Sequence, residues 1–350
     1  MVQKKLIKTL EYLSIFIFFL FLLHPGRFSV GNYSTIPMER IESSLLKTNF
    51  FWTESPRENP LCPPLDFEAL KNFDTTYFLH DPKWISLNES AIGDKLGVLN
   101  GGSWSPKTCI SLYESVIIIP YRERESHLSS FIKYIHPFLQ AQNISYRLFV
   151  IEQAPELPFN RGMLFNIGFL ESSTPEEFPL PQCVIFHDVD LIPMDARNIY
   201  GCSDQPRHMS SNVDSMRFNL PNEELFGGAV SIPAYIYREV NGFSNRFYGN
   251  LQIHCTPFKM SHIFDQILGW GAEDDDFYFH RLRKKFPIIR FPPEISSYRM
   301  LPHIPAIPNP NRHKQFKEKI FIDEDGLSTS AYEIIHYEKG PLFTKLTVEV

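Results

Sequence analysis

The chain has 350 residues and a formal net charge of -6, with 43% hydrophobic and 21% charged residues. That balance supports a packed core and excludes a wholly disordered chain. An acidic sum without a basic block argues against nucleic acid as the partner. The length suits one large α/β domain with an N-terminal appendage, or two domains at most. Its 28 prolines against 17 glycines point to long irregular connections.

Leu13 to Leu23 is almost purely apolar, and the run extends back to Leu6 with Lys8 and Glu11 as interruptions. A bilayer takes about 20 apolar residues. Lys4, Lys5 and Lys8 come first, so the positive-inside rule makes residues 1–5 a cytoplasmic tail and 6–23 a signal anchor, with the remainder outside or in a lumen. The segment after the run lacks a small-x-small cleavage site, which favours an anchor over a cleaved signal peptide. Being apolar on every face at the terminus, the run fits poorly as a buried core helix. Asn32, Asn88 and Asn143 each open an Asn-x-Ser triplet and are glycosylation acceptors in a secretory compartment. Five cysteines is an odd count. Cys62 with Cys109 and Cys183 with Cys202 are two plausible pairs under oxidising conditions. Buried free thiols are the alternative, and the sequence does not fix the connectivity.

Residues 24–60 are polar and irregular and read as a stem, and 61–350 as a single catalytic domain. A regular pattern begins at Ser115. Ser115–Pro120 is a buried strand. Glu125–Gln140 carries Leu128, Phe131, Ile132, Ile135 and Leu139 at helical spacing. Tyr146–Glu152 is a second strand, Arg161–Ser172 a second helix and Cys183–His187 a third strand. This β-α-β-α-β order predicts an α/β fold with a parallel sheet covered by helices. Ligands of such sheets sit at the carboxyl ends of the strands. Arg122, Arg124 and the Asp188-Val189-Asp190 run stand at such ends.

Two carboxylates at i and i+2 repel unless a cation lies between them. Asp188 and Asp190 therefore suggest a divalent ion that bridges phosphates, against a solvated turn. Arg122, Arg124 and Arg161 suit a diphosphate or a base, against surface ion pairing. Glu273 to Asp276 are four consecutive acids beside Trp270, the combination that holds sugars, and one acid can act as a general base. The competing reading is an acidic helix N-terminus, since FYFHRLRKKF follows as a helix. Met300 and His303 carry little weight by themselves.

Together these stretches resemble the β-1,4-galactosyltransferase family. The matching runs are IIIPYRERESHL, FNRGMLFNIGFLES, CVIFHDVDLIPM, CSDQPRHMS, FGGAVSI, NGFSNRFYG, GWGAEDDDF, RMLPH and DGLSTSAYEI, in the family's order, from Cys62 onward. The resemblance implies a type II Golgi membrane enzyme of GT-A (Rossmann-like) fold. Such an enzyme uses Mn2+ to transfer galactose from UDP-galactose, with inversion, to the 4-hydroxyl of a terminal N-acetylglucosamine or glucose. It implies Asp190, Met300 and His303 as metal ligands, a set softer than a magnesium site. Pro120, Arg122, Arg124, Phe159, Arg161, Asp188 and Val189 match positions that hold the nucleotide-sugar. Gly228 and Trp270 match donor-sugar contacts, Trp270 on a loop that closes. Glu273, Asp274, Asp275 and Arg312 match the acceptor side, with Asp274 as general base. The pairs Cys62–Cys109 and Cys183–Cys202 match the family's disulfides.

The chain departs from the pattern at several positions. Leu225 stands before Phe226-Gly227-Gly228, where many galactose-specific members have tyrosine. The lost phenol leaves space at the sugar's 2-position and implies acceptance of UDP-N-acetylgalactosamine. Ser215 falls where a phosphate-binding lysine is expected, with Arg217 near enough to compensate, and His313 replaces an aromatic of the acceptor site. Residues 250–268, which contain Cys255, separate two segments that are nearly adjacent in the family. Two readings stand: a genuine loop, or a gene-model error that stayed in frame. The function classes are thus an active galactosyltransferase, an N-acetylgalactosaminyl variant, and a catalytically silent sugar-binding paralogue.

Overall fold

Seven of the eight residues of strand β1, Glu114–Tyr121, are buried, as a β-branched run covered on both faces requires. The computed structural model to which this strand belongs describes residues 2–22, 33–48, 59–75, 77–155, 157–173, 181–248, 272–303, 309, 312–317 and 324–350. The other strands are β2 (Ser145–Gln153), β3 (Cys183–His187), β4 (Leu191–Pro193), β5 (Arg207–His208), β6 (Asn212–Val213), β7 (Ala229–Pro233), β8 (Ser297–Met300), β9 (Glu333–Lys339) and β10 (Thr344–Glu349). A 7-stranded sheet runs in the order β5-β7-β3-β1-β2-β10-β9, and β4-β8-β6 form a small second sheet.

The expected β-α-β-α-β unit is present, with element ends within two residues of the sequence reading. The sheet is not wholly parallel. β3, β1, β2 and β10 share one direction, whereas β7, β5 and β9 run against their neighbours. Strands β4 to β8 have five residues or fewer, and β9 and β10 lie far beyond the β-α-β-α-β pattern, so their direction was not legible.

Alternate residues of β1 feed two cores, as the two-residue period of a strand demands. Ile117 and Ile119 join Phe131, Ile135 and Phe138 of the Glu125–Ala141 helix on one face. Val116 and Ile118 join Phe165 and Ile167 of the Arg161–Glu171 helix on the other. Gly168 lets that helix approach closely, since a Cβ there would stand 2.3 Å from Ile118 Cγ2.

Residues 33–48, within the expected stem, lie against the domain. Ile41 is fully buried in the first core, and the Leu46 amide donates to the Cys202 carbonyl at 2.8 Å. The disulfides Cys62–Cys109 and Cys183–Cys202 both form, with Cα separations of 4.8 and 5.2 Å. A helix spans Val2–Leu22 where the anchor was expected. Among the described residues, however, no helix is long and apolar enough to cross a membrane. Asn32, Trp270 and residues 250–268 with Cys255 lie outside the described residues.

Candidate active site

The site forms where β1, β2 and β3 end and β7 begins. Since β7 pairs antiparallel with β3, the Gly227-Gly228 turn that opens β7 meets Asp188 directly: the Asp188 amide donates to the Gly228 carbonyl at 3.0 Å. Gly228 has φ +81°, and a Cβ there would stand 2.6 Å from Ser210 Oγ, so only glycine suits the position. Asn160 caps the Arg161–Glu171 helix by accepting from the Met163 amide at 3.0 Å. That cap fixes where Arg161 starts.

Arg161 is the hub. Its Nε donates to Asp188 Oδ1 at 2.6 Å, and its Nη1 donates to Asp274 Oδ1 at 2.7 Å and to Glu273 Oε1 at 3.4 Å. One guanidinium thus joins the acid at the end of β3 to two members of the acidic run. Burial pushes the Asp274 carboxyl up to about 7; Arg161 opposes the shift, while Glu273 and Asp188 add to it. Burial also raises Glu273, again opposed by Arg161. A carboxyl held near neutrality is tuned to take a proton from a hydroxyl.

The four acids divide. Glu273–Asp276 do form a helix N-terminus, as the structural reading of that run expects. Asp276 is engaged elsewhere: it accepts from His280 Nδ1 at 2.8 Å and from Arg281 Nε at 3.3 Å. Arg281 also donates to Asp325 at 3.2 Å, and Asp325 accepts the Asn245 amide at 2.8 Å. Asp275 is half-buried beside the hub.

The expected metal ligands converge through the small sheet. Leu191 faces Met300 in the β4–β8 ladder, and the Leu301 amide donates to the Asp190 carbonyl at 2.7 Å. His303 Nδ1 lies 3.2 Å from Asp190 Oδ2. Burial and the neighbouring Asp188 charge both push the Asp190 carboxyl up, with His303, Arg124 and His127 opposing. His127 Nδ1 and Arg124 Nη1 are buried without a hydrogen-bond partner. Among the described residues, no group of three or more His, Cys, Asp or Glu side chains is arranged to hold a metal. A cation here would therefore rely on the Met300 thioether as a third donor beside one carboxylate and one imidazole. That set fits a divalent ion softer than magnesium.

The residues expected on the nucleotide side form a shelf. Arg122 lies over the Phe159 ring at 5.2 Å and donates to the Leu157 carbonyl at 2.7 Å. Pro120 is buried beneath, within β1, and Val189 is buried between the two acids of Asp188–Asp190. Ser215 and Arg217 are both exposed on the turn that follows β6, and Asp214 Oδ1 of that turn accepts the Met300 amide at 2.8 Å. Leu225 is half-buried, and its carbonyl accepts from Arg290 at 3.1 Å. Arg312 opens the helix Arg312–Lys317, which also contains His313. Asn88 caps the Glu89–Leu96 helix, accepting from the Ala91 amide at 2.8 Å, and exposed Asn143 sits at φ +53°.

Two residues of the site escaped the sequence reading. His127 Nε2 donates to the Pro302 carbonyl at 3.1 Å, beside His303. Its signal was its place one turn into the helix that follows Arg124. Gly227 supports Asp274, and nothing in a Gly-Gly pair says which carboxylate rests on it.

Residues 75–203 match the family model described as the N-terminal region of glycosyl transferase group 7, and residues 207–250 match the one described as the N-terminal domain of galactosyltransferase. β-1,4-Galactosyltransferase 1 of Mus musculus is 36% identical over 257 residues, which cover 72% of this chain and 59% of that protein. β-1,4-Galactosyltransferase 4 of Cricetulus griseus is 32% identical over 255 residues, covering 72% and 67%. The chain thus spans less than two thirds of the length of the mouse relative. A crystal structure of the catalytic domain of Drosophila β-1,4-galactosyltransferase 7 in complex with xylobiose shares the fold, with a TM-score of 0.54 at 20% identity over 68% of this chain and 94% of that one.

Proposed function

The chain belongs to the β-1,4-galactosyltransferase family, and from that premise we propose that it is an inverting glycosyltransferase. It moves galactose from UDP-galactose to the 4-hydroxyl of a terminal N-acetylglucosamine or glucose, forming a β-1,4 linkage. The observation that carries this reading is the Arg161 guanidinium bound at once to Asp188 and to Asp274. It joins the donor end of the sheet to a carboxyl whose proton affinity lies near neutrality.

Asp274 takes the proton of the acceptor hydroxyl as that oxygen bonds to the anomeric carbon. The bond from that carbon to the diphosphate breaks on the opposite face, and UDP leaves with the electron pair. Arg122 and Arg124 at the end of β1 stabilise the charge that develops on the diphosphate. Asp190, Met300 and His303 would hold Mn2+, which when bound neutralises that same charge. Glu273 and Asp275, with Arg312, orient the acceptor, while Phe159 and Arg122 support the nucleotide and Gly228 and Trp270 the sugar.

Leu225 supports a second reading, in which UDP-N-acetylgalactosamine is the donor, because a half-buried leucine offers no phenol to crowd the 2-position. Retained activity despite residues 250–268 is supported by the network on their flanks, since Asn245 and Arg281 both bind Asp325. The charge order at the N-terminus supports a type II orientation with the domain in a lumen, and the family resemblance supports the Golgi as that compartment, where Asn88 and Asn143 would carry glycans. The deciding experiment is transfer from each donor, with Mn2+, to a β-N-acetylglucosaminide, beside Asp274→Asn and a chain lacking 250–268. Activity lost in Asp274→Asn supports the reading. Binding of UDP-sugar without turnover identifies the silent paralogue instead.

A further inference from the structure

Arg290 is almost fully buried, at 5% exposure, and its hydrogen-bond partners among the described residues include no carboxylate. Its Nη2 donates to two backbone carbonyls, of Glu223 at 2.8 Å and of Leu225 at 3.1 Å. Its Nε donates to Nδ1 of His208 at 3.3 Å. His208 is fully buried, and its Nε2 donates to the Gly227 carbonyl at 3.1 Å. That pair of contacts fixes the imidazole as the Nε2–H tautomer: Nδ1 must keep its lone pair for Arg290. Ser210 Oγ donates to the same Gly227 carbonyl at 3.1 Å. Three carbonyls of the Glu223–Gly227 segment therefore hang from one guanidinium–imidazole pair. The pair is itself anchored, because the His208 amide donates to the Ile289 carbonyl at 3.1 Å.

Resting on the donor reading above, we propose that Arg290 is a specificity-determining positioning residue. Through His208 and the carbonyls of Glu223 and Leu225 it fixes the main chain that presents Leu225 to the donor sugar and Gly227 to Asp274. Arg290 bonds to the main chain behind Leu225 and to His208, so its loss moves sugar selection while leaving the nucleotide shelf of Arg122 and Phe159 as it is. Removing the guanidinium takes the donor from two part-buried carbonyls, and the segment settles elsewhere. A lysine supplies one compact ammonium in place of a planar fork and recovers only part of the contact set.

The test uses the full chain as wild type, Arg290→Gln and Arg290→Lys. Affinity is measured for UDP, UDP-galactose and UDP-N-acetylgalactosamine, and kcat and KM for both nucleotide-sugars. In Arg290→Gln the preference between the two donors shifts about fivefold and nucleotide-sugar affinity falls about tenfold, while UDP affinity changes less than about twofold. Arg290→Lys lies between the two. Should Arg290→Gln not fold, His208→Gln makes the same test from the Gly227 side. A donor preference unchanged in every folded variant, or sugar and UDP affinities falling together, overturns the inference. A wild type that binds nucleotide-sugars without turnover, with the preference still shifting in the variants, supports the inference and defeats the catalytic reading. A wild type that binds UDP and neither nucleotide-sugar overturns both.

Discussion

The carboxylate of Asp274 rests on the backbone of Gly227 so closely that a Cβ on that glycine would stand 2.3 Å from Oδ2. Gly227→Ala must therefore push the acid aside. Misplacing a proton acceptor by about 1 Å costs on the order of 100-fold. We expect kcat to drop to that extent with UDP affinity unchanged, measured by steady-state kinetics and calorimetry. An undiminished kcat would show that catalysis does not depend on Asp274 resting on Gly227.

Asp274 titrates near 7 because it is buried. As a general base it works ionised, so kcat/KM should climb with pH and level off above a midpoint near 7. Asp274→Asn should lower transfer by about 10²–10⁴-fold at all pH values and abolish that limb. The sign for stability is the reverse. A carboxyl raised in the folded state adds stability below its ordinary value of about 4, and this is lost as pH rises through 7. Asp274→Asn should therefore gain more in melting temperature at pH 8 than at pH 4.

A chelator should abolish transfer, and Mn2+ should restore it better than Mg2+, because the proposed donor set of Asp190, Met300 and His303 includes a thioether and an imidazole. His303→Ala should raise the Mn2+ concentration for half-activation by about 10–100-fold, read from metal titrations. Activity at full strength in excess chelator would remove the metal from the reaction.

The two disulfides should contribute unequally. Cys62–Cys109 closes the longer loop, with a sequence separation of 47 against 19 for Cys183–Cys202. In the chain-entropy account each is worth about 2–4 kcal/mol, the longer loop more. Double serine variants should unfold at lower denaturant in that order. The reverse order would point to stored contacts at β3 rather than chain entropy.

The parts of the molecule with a strong period were readable from the sequence. The helices beginning at Glu125 and Arg161 and the first three strands declare themselves by spacing of apolar residues. Asp188 and Asp190 were visible because they follow an apolar strand. What was not readable is contact made over long separations. The sequence places Arg161 among the nucleotide residues, whereas the structure binds it to Asp274 across 113 positions, and no local pattern encodes that. The acids Glu273 to Asp276 look alike in sequence. The signal that sets Asp276 apart was present in His280 and Arg281, four and five positions later, but only the geometry shows that both turn to it. Residues 33–48 read as stem because their few apolar side chains lack a period, although Ile41 fills a core position.

The sheet order has a price during synthesis. β10 lies in the interior of the sheet between β2 and β9, so β2 gains that neighbour only after residues 154–343 have been made. Until then this largely apolar strand keeps a row of unpaired backbone N–H and C=O groups, and such open edges recruit one another into aggregates. Late parallel pairing is also slow to form. In the finished sheet the margin passes to β9, whose seven residues are all exposed and include Glu333, Glu338 and Lys339. Charges on an edge strand repel like strands. The hazard therefore belongs to the nascent chain, and the last strand to be added removes it.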